Sequence, residues 1–219
     1  MSTITNTRLL SSKSNVGNTR VDHVEQSLTL EPGEALLAID TFALTTNNIT
    51  YAAFGESMRY WDFFPTQLEG WGQMPVWGYA TVYSSNAEGI DVGDRFYGYY
   101  PIAKFLKIKT GRVNAQGFKE VSEHRKELPF TYNTYVRVPQ TPTLSPDLED
   151  AEMLMRPLFY TSYMLADFLQ DNNYFGAQKI VFSSASSKTA YGTAYCGRQL
   201  GDHPHFVGIT SARNQAFVE

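Results

Sequence analysis

The chain has 219 residues, 42% hydrophobic and 14% aromatic, enough to bury a core in one large domain or two small ones. Charged residues make up only 18%, and the net charge of −4 comes with no long run of either sign. That argues against nucleic acid, because duplex binding needs a basic face. The single cysteine, Cys196, excludes an intrachain disulfide and a cysteine-rich zinc cluster, and the absence of a signal-peptide core or an apolar run of about 18 residues leads us to expect a cytoplasmic chain with no membrane partner.

From Thr19 to about Pro139 the pattern is β-structure. Glu34 to Thr46 follows a Pro32-Gly33 turn signal and is rich in strand formers; Pro75–Ser85, Gly93–Pro101 and Tyr132–Pro139 read as further strands. Gly and Pro at such intervals predict a barrel or sandwich rather than βαβ units. At Thr141 the composition turns helical. Ser145 is an N-cap candidate with Pro146 at the first helical position, and Pro157 predicts the start of a second helix. The almost continuous apolar positions Leu158, Tyr163, Leu165, Phe168 and Leu169 predict that this second helix is well buried. After a break at Asp171–Gly176 come a strand over Lys179–Ser183, a helix over Lys188–Leu200, a Gly201–Pro204 turn and a strand over His205–Thr210. This βαβ unit implies parallel pairing and a right-handed crossover.

The stretch "IVFSSASSKTAYG" joins the first of those strands to its helix. As a P-loop it fails, because the glycines that should precede Lys188-Thr189 are Phe182 and Ser187. As a dinucleotide turn it has the strand and the helix, but Ser184, Ser187 and Ala190 stand where glycines usually do. Small residues admit a close phosphate only if the turn avoids positive φ; otherwise it is an ordinary strand–turn–helix with a serine cap. The second strand ends "GITSARN". It carries no acid for a ribose 2′-hydroxyl, but Thr210, Ser211 and Arg213 suit the 2′-phosphate of NADP; alternatively Arg213 is a solvated residue opening a helix.

In order along the chain, "GEALLAIDTFALTTNNITYAAFG", "PVWGYATVYSSNAEGIDVGDRFYGYYP", "YNTYVRVP", "LFYTSYMLADFL", the nucleotide turn and "VGITSARN" resemble the medium-chain dehydrogenase/reductase superfamily, on its zinc-free quinone oxidoreductase side. Within it, "NNITYAAFGESMRYWDFFP" and "VWGYATV" resemble a bacterial and fungal branch labelled only as a domain of unknown function. The resemblance implies an α+β and α/β chain: a GroES-like β-barrel domain over 1–140, then linker helices and the first part of a Rossmann NADP-binding domain over 141–219. It implies NADP(H) without zinc, and hydride transfer to an enone, quinone or related carbonyl compound as small-molecule substrate. The implied cofactor-binding residues are Thr161, Ser184, Ala185, Ser186, Ser187, Lys188, Thr189, Thr210, Ser211 and Arg213.

The departures are specific. The family's Asn-x-x-Asp motif becomes Thr46-Asn47-Asn48-Ile49, so its acid is lost, and the tyrosine proton donor of some enoyl reductases falls on Ser57. Asn47, Asn48 and Tyr51 remain candidates for orienting a carbonyl, and Tyr60 is a candidate replacement donor. It lies in an aromatic insertion (Met58 to Trp71) that either caps the substrate cleft or packs on the barrel or an oligomer partner. A complete Rossmann sheet has about six strands and two are expected here. A truncated gene, a fragment, or a chain completed by a homodimer mate or another partner is the expectation. A non-catalytic binding or scaffold protein that kept the fold and lost the chemistry is the alternative function.

Overall fold

The computed structural model describes residues 2–139, 146–201 and 203–219. The chain opens with an antiparallel hairpin, β1 (Thr3–Ser12) and β2 (Thr19–Ser27), followed by β3 (Glu34–Ala43) and a short helix, α1 (Thr46–Ala53). A 3-10 turn at Tyr60–Phe63 leads to β4 (Trp71–Gly72), which pairs with the end of β1. Then come β5 (Pro75–Ser85), β6 (Arg95–Pro101), β7 (Phe105–Asn114), β8 (Gly117–Glu120) and β9 (Thr134–Arg137). Six strands close a barrel in the order β3-β5-β6-β9-β8-β7, so no free edge is left within it.

The interior is built from alternate residues of these strands. Leu37, Val76, Ala80, Phe96, Tyr100, Ile108, Phe118 and Tyr135 are all buried in one cluster, the Leu, Val, Ile and Phe side chains each contributing about 1.5–3 kcal/mol if fully removed from water. β7 illustrates the pattern: Leu106 and Ile108 pack toward the barrel core while Lys107 and Lys109 lie on the other face, Lys107 pairing with Glu34 on the neighbouring strand. β1 escapes the sequence reading because its key inward residue is polar. Asn6 is buried, accepting from the Phe105 N–H and donating to the Phe105 carbonyl, each at 2.9 Å. The strand expected over Glu34 to Thr46 stops at Ala43, because Thr45 turns the chain by capping α1.

Trp61, 3% exposed, lies between Gly55 and Gly72, and a Cβ on either glycine would collide with the indole. The aromatic insertion is therefore largely part of the fold: Tyr60, Trp61, Phe63 and Phe64 are buried, and Met58 is exposed.

By internal contacts the chain divides into two units, Met1–Asp147 and Leu148–Glu219. The second is described here by itself. It contains most of α2 (Pro146–Asp171), β10 (Lys179–Phe182), α3 (Lys188–Gln199), β11 (His205–Gly208) and a final turn of helix, α4 (Gln215–Val218). β10 and β11 pair in parallel, Ile180 opposite Phe206, as the βαβ reading requires.

Two helical expectations are corrected. Pro157 starts no second helix; α2 runs straight through it. Proline removes one backbone bond from an interior turn, here the one to the Met153 carbonyl, and a 26-residue helix continues past that single loss. The Ser145 cap lies outside the described residues. Nor is the helix well buried: Tyr163, Leu165 and Phe168 are 44%, 44% and 54% exposed. Only the stripe of Met153, Ser162 and Ala166 is covered, because the apolar residues run almost all round the helix whereas the two-stranded sheet and α3 offer one narrow face.

Candidate functional site

In the second unit the serine-rich turn folds without glycine. No residue of the turn has a positive φ; the φ-positive non-glycine residues among those described all lie elsewhere. Serines and alanine are therefore unstrained there. The Ala185 N–H donates to the Ile209 carbonyl at 3.0 Å, the Ser187 N–H donates to the Ser184 carbonyl at 2.9 Å, and Ser187 Oγ caps α3 by accepting from the Ala190 N–H at 3.2 Å. Close approach is supplied from outside the turn. A Cβ at Gly208 would come within 2.8 Å of the Ala185 methyl, so the glycine lets the turn lie on the end of β11. A Cβ at Gly192 would stand 2.5 Å from Ser162 Oγ, so that glycine lets α3 settle on α2.

The turn leaves polar groups at the C-terminal ends of both parallel strands, where α/β sheets bind their ligands. The first N–H groups of α3 carry the positive end of the helix dipole. Lys188 and Arg213 are exposed, and among the described residues neither forms an ion pair. Among the described residues Thr210 Oγ1 is buried without a hydrogen-bond partner, a state that costs about 1–3 kcal/mol. Ser184 and Ser211 are exposed, and Ser186 and Thr189 half-buried. Ser186 Oγ accepts from Asn214 Nδ2 at 3.1 Å, tying the turn to the segment after β11. Asn214 was not foreseen; no spacing rule in the sequence announces it. Thr161 is exposed, and its hydroxyl is engaged with the Pro157 carbonyl. This donor set fits a dinucleotide phosphate.

In the barrel unit the four residues proposed for chemistry separate into two kinds. Asn48 is buried, with both ends of its amide engaged: Oδ1 accepts from the Thr45 N–H at 2.6 Å, and Nδ2 donates to the Pro75 carbonyl at 2.9 Å. It is the inner half of a capping box that pins α1 to β5. The Asn47 side chain is exposed, and Ile49, at the position of the lost acid, is 56% exposed.

Tyr51 and Tyr60 instead join a phenol cluster. Their rings lie 4.8 Å apart, edge to face, and Tyr132 and Tyr99 complete the group, with Tyr99 and Tyr132 centroids 4.6 Å apart. Trp77 Nε1 donates to Tyr51 Oη at 3.1 Å, and the Tyr60 and Tyr132 hydroxyls stand 3.5 Å apart. Among the described residues the Tyr99 hydroxyl is buried with no hydrogen-bond partner. Burial raises the pKa of Tyr51 above its ordinary value of 10.0, against the smaller opposing effect of the Trp77 hydrogen bond. Burial likewise raises Tyr99 and Tyr132, reinforced at Tyr132 by the Tyr60 hydroxyl. These phenols stay protonated, and so able to donate, well above neutral pH. Tyr132 lies 72 residues from Tyr60 and was read only as part of a strand; barrel closure brings it in. Among the described residues no group of three or more His, Cys, Asp or Glu could hold a metal ion, and no helix is long and apolar enough to cross a membrane.

The family model described as "Protein of unknown function (DUF2855)" matches residues 42–219. The chain belongs to the DUF2855 family. No curated protein matches the DUF2855 chain. Among solved structures, CurA from Vibrio vulnificus in complex with NADPH shares 14% identity with a TM-score of 0.57, over 96% of this chain and 54% of that one. The mitochondrial 2-enoyl thioester reductase Etr1p/Etr2p heterodimer from Candida tropicalis shares 12% identity with a TM-score of 0.53, over 98% of this chain and 57% of that one. At these identities the likeness concerns the fold. That fold is the medium-chain dehydrogenase/reductase one, a GroES-like barrel followed by a βαβ portion of a Rossmann domain. The DUF2855 chain spans a little over half the length of both.

Proposed function

We propose that this chain is the barrel and first Rossmann portion of an NADPH-dependent, zinc-independent reductase acting on an enone, quinone or related carbonyl compound. The observation that carries the reading is the serine turn: a capped helix start, an unpartnered Thr210 hydroxyl and two cations without ion pairs, gathered at the ends of two parallel strands. Ser184, Ser186 and the first amides of α3 would hold the pyrophosphate. Thr210, Ser211 and Arg213 would hold the 2′-phosphate, with Asn214 fixing Ser186. Similarity of fold to a protein crystallised with NADPH supports the cofactor class.

When bound, the cofactor supplies a hydride, two electrons and one proton, to the electrophilic carbon of the substrate. The chain's own contribution is the phenol cluster. Hydroxyls of Tyr51 and Tyr132, held protonated by burial, and that of Tyr60 beside them donate hydrogen bonds to the carbonyl oxygen as negative charge collects there, and one of the three passes on the second proton. Asn48 positions α1, and so Tyr51, without touching substrate. Asn47 and Thr161 have no further part assigned to them. A cytoplasmic location and a partner that completes the sheet, a homodimer mate included, belong to the same proposal.

The test is Tyr132→Phe. Removing a positioned proton donor costs on the order of a hundredfold, so NADPH oxidation with a quinone or enone should lose about that much in kcat while the Kd for NADPH is unchanged. Wild-type kcat in the variant would sink the assignment. The lost acid at Ile49 and the engaged amide of Asn48 favour a second reading, a binding or scaffold protein without chemistry. On that reading, removing the charges of Lys188 and Arg213 together leaves function intact.

A further inference from the structure

We propose that the barrel unit carries a separate site for a small planar carboxylate, in a cavity of about 220 Å³ floored by Arg125 and walled by Phe63, Phe64, Phe105 and Leu106. The observation is an under-satisfied buried guanidinium. The Arg125 side chain is 2% exposed, yet its nearest contacts are long: Glu120 Oε2 at 3.3 Å, Tyr135 Oη at 3.4 Å and Asn133 Oδ1 at 3.5 Å. Charge-assisted bonds normally close to about 2.7–2.9 Å, and a guanidinium offers five donors. Arg125 Nε and Glu120 Oε2 lack hydrogen-bond geometry altogether despite their proximity.

Glu120 does not use up this cation. Its other oxygen accepts from the Lys109 N–H, the Ser122 N–H and the Ser122 hydroxyl, so its charge is already stabilised by three donors. The remaining cations on the cavity wall have their own acids: Arg8 pairs with Asp22 at 2.8 Å and Lys107 with Glu34 at 3.2 Å. Beyond its long pairing with Glu120, the Arg125 guanidinium thus has N–H groups to spare, with the exposed His124 at the cavity rim and no second acid on its wall.

The walls select the rest of the ligand. The guanidinium lies 4.7 Å from the Phe64 ring centroid and 5.5 Å from that of Phe63, so aromatic faces already frame it. A dry cavity of roughly 150 Å³ is enough to admit benzene; 220 Å³ admits a ring with a carboxylate. Of the three amides on the wall, Asn6 is committed to Phe105 and Gln73 to the Phe64 carbonyl, and Gln26 Nε2 donates to the Ser27 carbonyl, leaving Arg125 to recognise the charged end. A phosphate, with its greater charge and no apolar body, is the poorer match for this lining.

Benzoate is the probe and benzamide, its neutral isostere, the control, added to the full chain without cofactor. Benzoate should bind at least about tenfold more tightly than benzamide, the difference of one charge-assisted pair, and should move the Arg125 Nε–H resonance. Arg125→Gln should erase the preference. Because loss of a buried charge partner can unfold the barrel, Val24→Trp, which fills the cavity from β2, is the second variant and should abolish benzoate binding. Equal binding of the two probes, binding of neither, or undiminished binding to Val24→Trp would overturn the proposal, the cavity then holding water only.

Discussion

Arg213→Ala should raise the Kd for NADPH about 10- to 100-fold and leave that for NADH within about twofold. A charge-assisted hydrogen bond is worth about 1.5–3 kcal/mol, and each 1.4 kcal/mol is a decade in affinity. The selectivity follows from position. Arg213 stands just past the second parallel strand, is exposed, and among the described residues has no ion pair to give up; the proposed site assigns to it the one phosphate by which the cofactors differ. In the proposed site Lys188, at the first turn of α3, is assigned to the phosphates both cofactors share. Lys188→Ala should therefore weaken NADPH and NADH alike. Calorimetric titration of both nucleotides into wild type and the two variants separates the roles. Equal loss of both nucleotides in Arg213→Ala would contradict the placement of the 2′-phosphate.

Trp61→Ala should destabilise the barrel unit by about 3–5 kcal/mol, the range for deleting a large buried aromatic. The indole is 3% exposed and is clasped between Gly55 and Gly72, which joins the 3-10 turn at Tyr60–Phe63 to the β1–β4 pairing. Gly72→Ala attacks the same packing from the other side. Its methyl has no room beside the indole, and overpacking of this kind costs about 1–3 kcal/mol. For a domain of this size 1 kcal/mol moves Tm by roughly 2–4 °C, so scanning calorimetry should resolve both variants. A Gly72→Ala protein with unchanged Tm would show that the indole is not held there.

The legible and illegible parts of the sequence differ for physical reasons. β5 was readable to the residue, and β10, α3 and β11 to within one or two at each end, because local signals agree there: β-branched runs, a serine cap and a Gly-Pro break. β1 was not, since Asn6 replaces an apolar inward residue and its pairing comes from the hairpin partner. β7 hid behind its lysines, which are the outward half of an alternating strand. Pro157 misled because one lost backbone bond does not end a long helix. The burial of α2 misled because periodicity tells which residues are apolar, not whether a surface exists to cover them.

The candidate sites split the same way. Ser184, Ser187, Lys188, Thr210 and Arg213 are contiguous with recognisable turns, so their neighbourhood could be read from spacing. The absence of positive φ in the turn, which makes serine admissible, needed backbone coordinates. Asn48 looked chemical because an amide beside a lost acid invites it, and only its partners show it to be a cap. Tyr132 joins Tyr51 and Tyr60 through barrel closure, a contact of long sequence separation that no local pattern encodes.

The central claim is that this glycine-free turn holds the phosphates of NADP(H). The most direct measurement is a nitrogen–proton correlation spectrum of serine-labelled protein during an NADPH titration. Saturable shifts confined to Ser184, Ser186, Ser187 and Ser211, smaller with NADH at Ser211, are the predicted result. No shift at those four resonances at millimolar NADPH would contradict it.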